Sequence, residues 1–437
     1  MTLHRGGWIA AGLTWLAAVG AGGQELPPIT PVDTVDMAEA VDRALEVNPQ
    51  MVQARTSLGT AEFGTKQAYA SMLPSLSLSS GTSLSSAQRY DPSLGTTLNS
   101  QSRSYSAGIN SGMDVFAGGR NLAGVRSARA SEHAAEATVV TRRFSVALSA
   151  KQAFFAVLRS GELIELSRRR IEQAEQNLSA AERRQEAGRA TRSDVLRSRL
   201  ELSNARQALL EAQTQERTNM YALGRTVGIR GPVAARIPER LEPEPLAMSQ
   251  QALRELVADQ APTVESATAQ VSVARAGLSQ SRAQYFPSLS VSGGYNWSND
   301  EFGLDQGRTS WSTRLSLSYP LFNGLQREGS VDRANAQVSV AQAQANEAVR
   351  AAISELEGLL AALDLAEQQI AILEESVEVA REDFRVQQER YGLGAATILE
   401  LVSSQIALLQ AENNLINARY DYQITRAELE SLVGREL

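Results

Sequence analysis

The sequence predicts an α+β membrane protein in which a transmembrane β-barrel, built from four strands per chain, continues into a barrel of long antiparallel α-helices. Three observations support this fold class. The chain contains two copies of one unit, in the same order of elements. Each copy has short segments in which polar and apolar residues alternate, as in a β-strand with two different faces. Each copy also has a long proline-free stretch of helical composition.

The duplication is visible in paired markers. Pro49 and Pro74 recur as Pro262 and Pro287, each 213 positions further on, and Phe116 recurs as Phe322, 206 positions further on. A repeat of this length is a duplicated architectural unit and not a short solenoid period. We expect the first unit at residues 37–228 and the second at 248–437. Residues 229–247, which contain four prolines, are expected to be an equatorial linker.

The first 23 residues have the features of a secretory signal peptide. His4 and Arg5 precede a mostly apolar run at residues 8–19, and small residues suited to cleavage follow. The run is shorter than a membrane-spanning helix requires. Residues 24–36 are then expected to form an extended N-terminal segment. The alternative is that the apolar run is a buried N-terminal helix.

Composition excludes several classes of site. The chain has no cysteine and two histidines, so disulfides and thiolate metal sites are excluded and a histidine metal site is disfavoured. The net charge of −7 argues against nucleic-acid binding. We find no nucleophile–base set and no phosphate-binding loop. The sequence therefore predicts neither an enzyme nor a cofactor.

Two strands are predicted in each unit, at about 75–86 and 103–116 and at about 288–297 and 309–321, with polar loops at 87–102 and 298–308. Along the last strand Leu315 and Leu317 alternate with Ser316 and Ser318. An open sheet edge in lipid costs several kcal/mol per unpaired backbone group, and four strands are too few to close. Several chains must therefore share one barrel, with the serine-rich face lining water and the leucines facing lipid.

The long helices come in pairs that reverse at glycines. Residues 122–187 contain no proline and would form a rod of about 100 Å at 1.5 Å per residue. Gly188 and Gly394 interrupt the two rods, and a returning helix follows each. Apolar residues recur every seven positions along the second returning helix, which indicates helices packed side by side: Leu401, Leu408, Leu415, Tyr422 and Leu429. A shared barrel with a ring of such helices below it is a conduit.

These residues carry a resemblance to a known family. The chain resembles the TolC family of outer-membrane efflux proteins over nearly all of the sequence after the signal peptide. The features that match are Asn48-Pro49, the two Pro-Ser-Leu-Ser strand starts, Phe322-Asn323-Gly324, and above all residues 390–401 and 417–422. The resemblance implies a homotrimer in the Gram-negative outer membrane, surrounded by outer-membrane lipid and with a long periplasmic extension. The partners that it implies are a periplasmic adaptor (membrane fusion protein) and an inner-membrane pump or ABC exporter.

The resemblance also implies site residues at the helix ends. The family closes its periplasmic mouth with a polar lock, and the matching aperture positions here are Asp194, Tyr391, Glu400 and Ser403. Residues expected to form the tip on which the adaptor docks are Gly188, Arg189, Ala190, Thr191, Gly394, Ala395, Ala396 and Thr397.

The chain departs from the family pattern at the lock. Position 403 is not acidic, and Ala396 stands where some members carry an arginine. Arg189 or Arg192 is a candidate for the missing cation. The alternative for Asp194 is an acid favoured by the helix dipole, and for Glu400 a solvated helix face.

Three functions remain open on the sequence alone. The first is the exit duct of a tripartite efflux system. The second is the same duct in type I protein secretion. The third, from a different class, is a coiled-coil structural protein without a pore.

Overall fold

The computed structural model describes residues 33–91, 95–237, 246, 248–303 and 307–437. The predicted signal peptide and residues 24–32 lie outside the described residues. The first unit comprises β1 Asp33–Val35, α1 Met37–Val47, α2 Pro49–Ala70, β2 Ser75–Asp91, β3 Thr96–Ala117, α3 Arg120–Glu186 and α4 Arg192–Val227. After β4 Val233–Ala235, the second unit comprises α5 Gln250–Gln260, α6 Pro262–Arg282, a short 3-10 helix Ala283–Tyr285, β5 Ser288–Asn299, β6 Arg308–Ser318, α7 Gln326–Leu393 and α8 Ile398–Val433.

The two units match element by element, which confirms the duplication. The long helices α3 and α7 have 67 and 68 residues, and the returning helices α4 and α8 have 36 each. At 1.5 Å per residue each long helix measures about 100 Å. Within the described residues no helix is both long enough and apolar enough to cross a lipid bilayer.

The break between α1 and α2 is built from Asn48 and Pro49. Asn48 ends α1, and its side-chain oxygen accepts a hydrogen bond of 2.8 Å from the backbone N–H of Gln50 in α2. Pro49 occupies the first turn of α2, where its missing N–H is not needed. One dipeptide thus stops one helix and starts the next.

The four long strands form one antiparallel sheet in the order β2-β3-β5-β6. In one row of the sheet Leu289 lies opposite Leu317, and in the next row Ser290 lies opposite Ser316. The sheet therefore has one apolar and one polar face, as predicted. Strands β2 and β6 are its edges, and β6 beside the β2 of another copy would continue the antiparallel alternation.

The predicted strand ends were wrong at three places. β2 and β3 do not end at a loop at 87–102 but continue their ladder to the pair Asp91 and Thr96. Polar residues do not stop the pairing there, because the ladder joins backbone N–H and C=O groups and does not need apolar side chains. β5 runs two residues past the expected end, to Asn299, and β6 ends at Ser318 and not at 321. Pro320 has no N–H to donate to the ladder.

The helices pack around two apolar clusters near the middle of their length. In one cluster Phe154 and Leu223 meet Tyr420 of the other unit, together with Val35 and Val233. Val35 and Val233 belong to β1 and β4, which pair in parallel. The expected linker at 229–247 thus contains a strand, although its residues 238–245 and 247 lie outside the described part of the chain.

The second cluster is formed by α5, the start of α6, α7 and α8. Leu253, Leu356 and Leu429 are completely buried, and Tyr422 is 2% exposed. The seven-residue stripe predicted on α8 runs through this cluster and the next one below it, so the stripe is the packed face of the helix.

Candidate functional site

The two helix reversals have the same backbone design. We call residues 187–191 the first tip and residues 394–397 the second tip. Gly188 and Gly394 have φ values of +70° and +83°, a region that favours glycine because it has no Cβ. The N–H groups of Arg189 and Ala395 each donate 2.8 Å hydrogen bonds to carbonyls of the preceding helix. This pattern is a Schellman motif, which satisfies the last carbonyls of α3 and α7.

Each returning helix then begins with a capping box. The Thr191 hydroxyl accepts from the N–H of Asp194 at 3.3 Å, and the Asp194 carboxylate accepts from the N–H of Thr191 at 2.8 Å. Thr397 and Glu400 repeat the arrangement at 3.3 Å and 2.6 Å. The two acids predicted at the aperture are therefore also the acids that cap their own helices.

Capping changes the titration of Glu400. The backbone N–H of Thr397, followed by the Thr397 hydroxyl, holds the pKa of the Glu400 carboxyl below its usual range. Because this pKa is lowered on folding, the cap stabilises the folded chain fully at pH values above the ordinary glutamate pKa, which the unfolded chain keeps. The contribution is lost only as the pH falls through the lowered pKa of the folded chain. Mild acidification therefore leaves the second tip capped.

The ends of α3 and α7, next to the two tips, touch through Arg184 and Tyr391. The Arg184 guanidinium carbon lies 4.4 Å from the centre of the Tyr391 ring, a cation–π contact between α3 and α7. Tyr391 is 5% exposed, and burial raises the pKa of its hydroxyl, an effect that the nearby Arg184 charge partly opposes. Neither Arg189 nor Arg192 makes this contact, and both are exposed. The cation beside the tip tyrosine is Arg184, which the sequence analysis did not select.

Several donors in this contact have no partner in the single chain. Among the described residues, the Tyr391 hydroxyl and the Arg184 Nε and Nη1 atoms are buried without a hydrogen bond. Arg184 does donate from Nη2 to the Arg189 carbonyl at 3.5 Å, which ties it to the first tip. Unpaired buried donors are costly, so these groups would gain from an acceptor that a further chain or solvent supplies.

A buried polar layer lies above the tips. The Asn177 amide on α3 donates to the Gln405 side chain on α8 at 2.9 Å, and the two residues are 5% and 3% exposed. The Ser404 hydroxyl donates to Asp383 at 2.5 Å, whereas Ser403 is exposed. Each amide lies on the buried apolar face of its helix: Asn177 is three residues after Ala174 on α3, and Gln405 is four residues after Leu401 on α8. A polar residue on such a stripe is the sequence signal that could have identified them.

The remaining tip positions differ between the two units. Arg189 and Ala395 are exposed, while Ala190 and Ala396 are half-buried. Ala396 packs against a small cluster that includes Tyr391 and Leu401. The first tip is therefore basic and the second is small and apolar, on the same backbone.

An open groove lies next to the tips. An open groove of about 630 Å³ runs between α3 and α7, with Gln176, Asn177, Gln388 and Tyr391 on its walls. Within the described ranges no group of three or more His, Cys, Asp or Glu side chains could hold a metal ion. The groups at the tips are committed to caps, a cation–π contact and amide pairs.

The sequence and the fold have known relatives. A family described as outer membrane efflux protein matches residues 40–228 and 253–435. The alkaline protease secretion protein AprF of Pseudomonas aeruginosa is 26% identical over 288 residues, covering 65% of this chain and 60% of AprF. The probable efflux pump outer membrane protein TtgC of Pseudomonas putida is 23% identical over 326 residues, covering 74% of this chain and 66% of TtgC.

Solved structures share the architecture. The Campylobacter jejuni CmeC outer membrane channel superimposes with a TM-score of 0.80 at 17% identity, covering 91% of this chain and 85% of CmeC. At this level of identity the likeness concerns the fold. The matched part spans about two thirds or less of the length of AprF and TtgC.

Proposed function

Because the chain belongs to the outer membrane efflux protein family, we propose that it is the exit duct of a tripartite export system. One observation supports this proposal most: the same chain contains a sheet with one polar and one apolar face and helices of about 100 Å. The edge strands of that sheet, β2 and β6, are unpaired on their outer sides in the single chain. The sheet would cross the outer membrane and the helices would extend through the periplasm. The protein itself would be passive, with energy supplied by its partner.

The duct would be a homotrimer. A sheet whose apolar face carries exposed Leu76, Leu315 and Leu317 needs lipid on that face. It also needs partners at both edges, since unpaired edge groups are not tolerated in hydrocarbon. Copies related by a closed rotation supply them by placing each β6 beside the next β2.

The partners would be a periplasmic adaptor at the tips and an inner-membrane pump or ABC exporter beyond it. The two tips present exposed positions on rigid, capped turns, which suits contact with a helical hairpin. The cargo of the relatives differs, since TtgC is described as an efflux pump component and AprF as a protease secretion protein. We favour efflux of small molecules, and the match to AprF supports type I secretion as the second candidate.

The proposal is tested on the purified full-length protein. In detergent the mature protein should have the mass of three chains, and in planar lipid bilayers it should form discrete conducting channels. A monodisperse monomer that keeps its β-structure, or trimers that never conduct, would contradict the duct and return the protein to a structural role without a pore.

The aperture role of Asp194 and Glu400 can be separated from their capping role. Glutamine at position 400 keeps an oxygen that can accept from the Thr397 N–H, so Glu400→Gln preserves the cap while removing the charge. If three copies surround a narrow axis, the Asp194→Asn/Glu400→Gln variant should weaken block by a multivalent cation from the periplasmic side about threefold or more. The measurement is block by hexaamminecobalt in planar bilayers.

The control for the acids is Glu389→Gln, an exposed acid on α7 that does not cap a helix. This variant should be blocked like the parent. If the double variant is also blocked like the parent, Asp194 and Glu400 are helix caps only.

The contact between Arg184 and Tyr391 should hold the resting mouth closed. One cation–π contact contributes about 0.5 to 2 kcal/mol, and three copies would act on one mouth. Arg184→Ala should therefore raise the open probability of the resting channel by about tenfold. Single-channel recording gives this value directly, and Arg189→Ala is the matched control because Arg189 is exposed and makes no contact with Tyr391.

A double variant shows whether the two residues act together. Arg184→Ala and Tyr391→Leu should have non-additive effects on open probability, since each removes the same contact. Additive effects, or an unchanged resting channel in Arg184→Ala, would assign Arg184 to the first tip alone.

A further inference from the structure

Over the strand residues whose side chains the structure describes, the polar face of the sheet carries few charges. Residues that alternate with the lipid-facing leucines are mainly serine, glycine and asparagine on all four strands. Among the strand residues whose side chains are described, the ionisable ones on this face are Asp114, Arg308 and Arg314. Arg308 lies at the start of β6, by the hairpin with β5, and the other two lie further along the sheet, towards its junctions with the helices.

Asp114 is neutralised within its own chain. Its carboxylate accepts from the Arg120 guanidinium at 3.1 Å, at the junction between β3 and α3. Arg314 has no ion pair among the described residues, and its row of the sheet contains Ser75, Gly112 and Ser292. The next copy would place its own β2 beside β6, and the polar-face residues of β2 from 75 to 85 are serines and one glycine. Neither chain thus supplies an acid next to Arg314.

The side chains around Arg314 on the polar face are short. Asparagine side chains in the neighbouring rows lie flat against glycines of the next strand: a Cβ at Gly108 would lie 2.2 Å from the Asn296 side-chain oxygen, and one at Gly294 would lie 2.7 Å from that of Asn110. Serine is short and glycine has no side chain. Arg314 is therefore the longest side chain on this part of the polar face.

Simple geometry places the guanidinium near the axis. Twelve strands about 4.8 Å apart and tilted by about 40° close a barrel with a backbone radius of about 12 Å. Ordinary bond lengths let an arginine reach about 6 to 7 Å from its Cα. Three guanidinium groups would then stand about 5 Å from the axis, inside the Debye length of about 8 Å at physiological ionic strength. Every solute in the lumen would pass within their field.

We propose that the three copies of Arg314 form an anion-binding ring in the barrel lumen, which binds oxyanions such as carboxylate and phosphate groups of a passing solute. The inference rests on the proposed trimeric duct. A guanidinium has a planar set of N–H donors that can form two parallel hydrogen bonds to an oxyanion. The neutral serines around it do not neutralise its positive charge. The ring would concentrate anionic solutes in the barrel lumen.

The test is planar-bilayer recording of the full-length protein with three variants. Arg314→Ser introduces the residue that predominates on the polar face, and Arg314→Lys keeps the positive charge without the planar set of guanidinium donors. Arg103→Ser removes a charge from the opposite face of the sheet, where Arg103 lies opposite Leu84. Tripolyphosphate, added to either side in turn, is the probe of oxyanion binding.

Arg314→Ser should raise the ratio of cation to anion permeability by about twofold or more, because the removed charges stand within a Debye length of the axis. It should also abolish block by tripolyphosphate. Arg314→Lys should keep the permeability ratio of the parent with weaker block, and Arg103→Ser should behave like the parent.

The two possible failures differ. A conducting parent whose permeability ratio and block are unchanged by Arg314→Ser would overturn the ring and leave the duct intact. A parent that forms trimers but never conducts would overturn the proposed duct, and the ring with it.

Discussion

Replacing Leu315 with arginine is expected to remove most of the assembled trimer from the outer membrane. Leu315 is 65% exposed in the single chain and lies on the apolar face of β6, four residues after Trp311 and four before Tyr319, which follows the strand. Aromatic rows of this kind mark the two membrane interfaces, so Leu315 lies near mid-membrane. An arginine there costs about 2–4 kcal/mol in each chain. The measurement is the amount of heat-modifiable trimer in the outer-membrane fraction.

Ser316→Arg is the matched control for this variant. Ser316 is the next residue of β6, on the polar face opposite Ser290, so the same side chain would point into water. Its trimers should assemble at the level of the parent. Equal loss in both variants would mean that the sheet does not have lipid on one face and water on the other.

Valine at Gly394 is expected to abolish contact with the adaptor while trimers remain in the membrane. The φ value of +83° at Gly394 is a left-handed conformation that costs residues with a Cβ about 1–2 kcal/mol, and more for a β-branched one. The turn would therefore change shape without loss of the strands or of the long helices. A photo-crosslinking residue at Ala395 in living cells reports adaptor capture, and the same design applies to Gly188 with a crosslinker at Ala190.

Gly392→Val is the control at the second tip. Gly392 lies in the last turn of α7, and its φ is not positive. A Cβ at Gly392 meets no atom within 4 Å, and one at Gly394 meets only the end of the Arg184 side chain at 3.4 Å. The two substitutions thus differ mainly in backbone strain. If Gly394→Val captures the adaptor as well as Gly392→Val does, the tip is not the docking site.

Local periodicity and the positions of glycine and proline made much of the fold predictable. The two faces of β6 follow from the alternation of polar and apolar residues, because successive side chains of any strand point to opposite faces of the sheet. The lengths of α3 and α7 follow from the absence of proline, and their ends from Gly188 and Gly394. Each of these features is set by covalent geometry within a few residues.

Features that depend on solvent or on remote residues were not predictable in the same way. The hairpin of β2 and β3 is longer than its polar composition indicated, because the pairing joins backbone groups of two segments that the local composition does not match to each other. Strand β4 lies in a segment that reads as a linker. It becomes a strand because β1, some 200 residues earlier, lies beside it.

The sequence by itself determined the duplicated architecture, the two-faced strands and the glycine turns. Only the tertiary structure decided that Arg184 is the cation beside Tyr391, and that Asn177 pairs with Gln405. These partners lie in different units of the chain. They meet because α3 packs against the helices of the second unit, and the register of two packed helices depends on the whole interface, which no local pattern records.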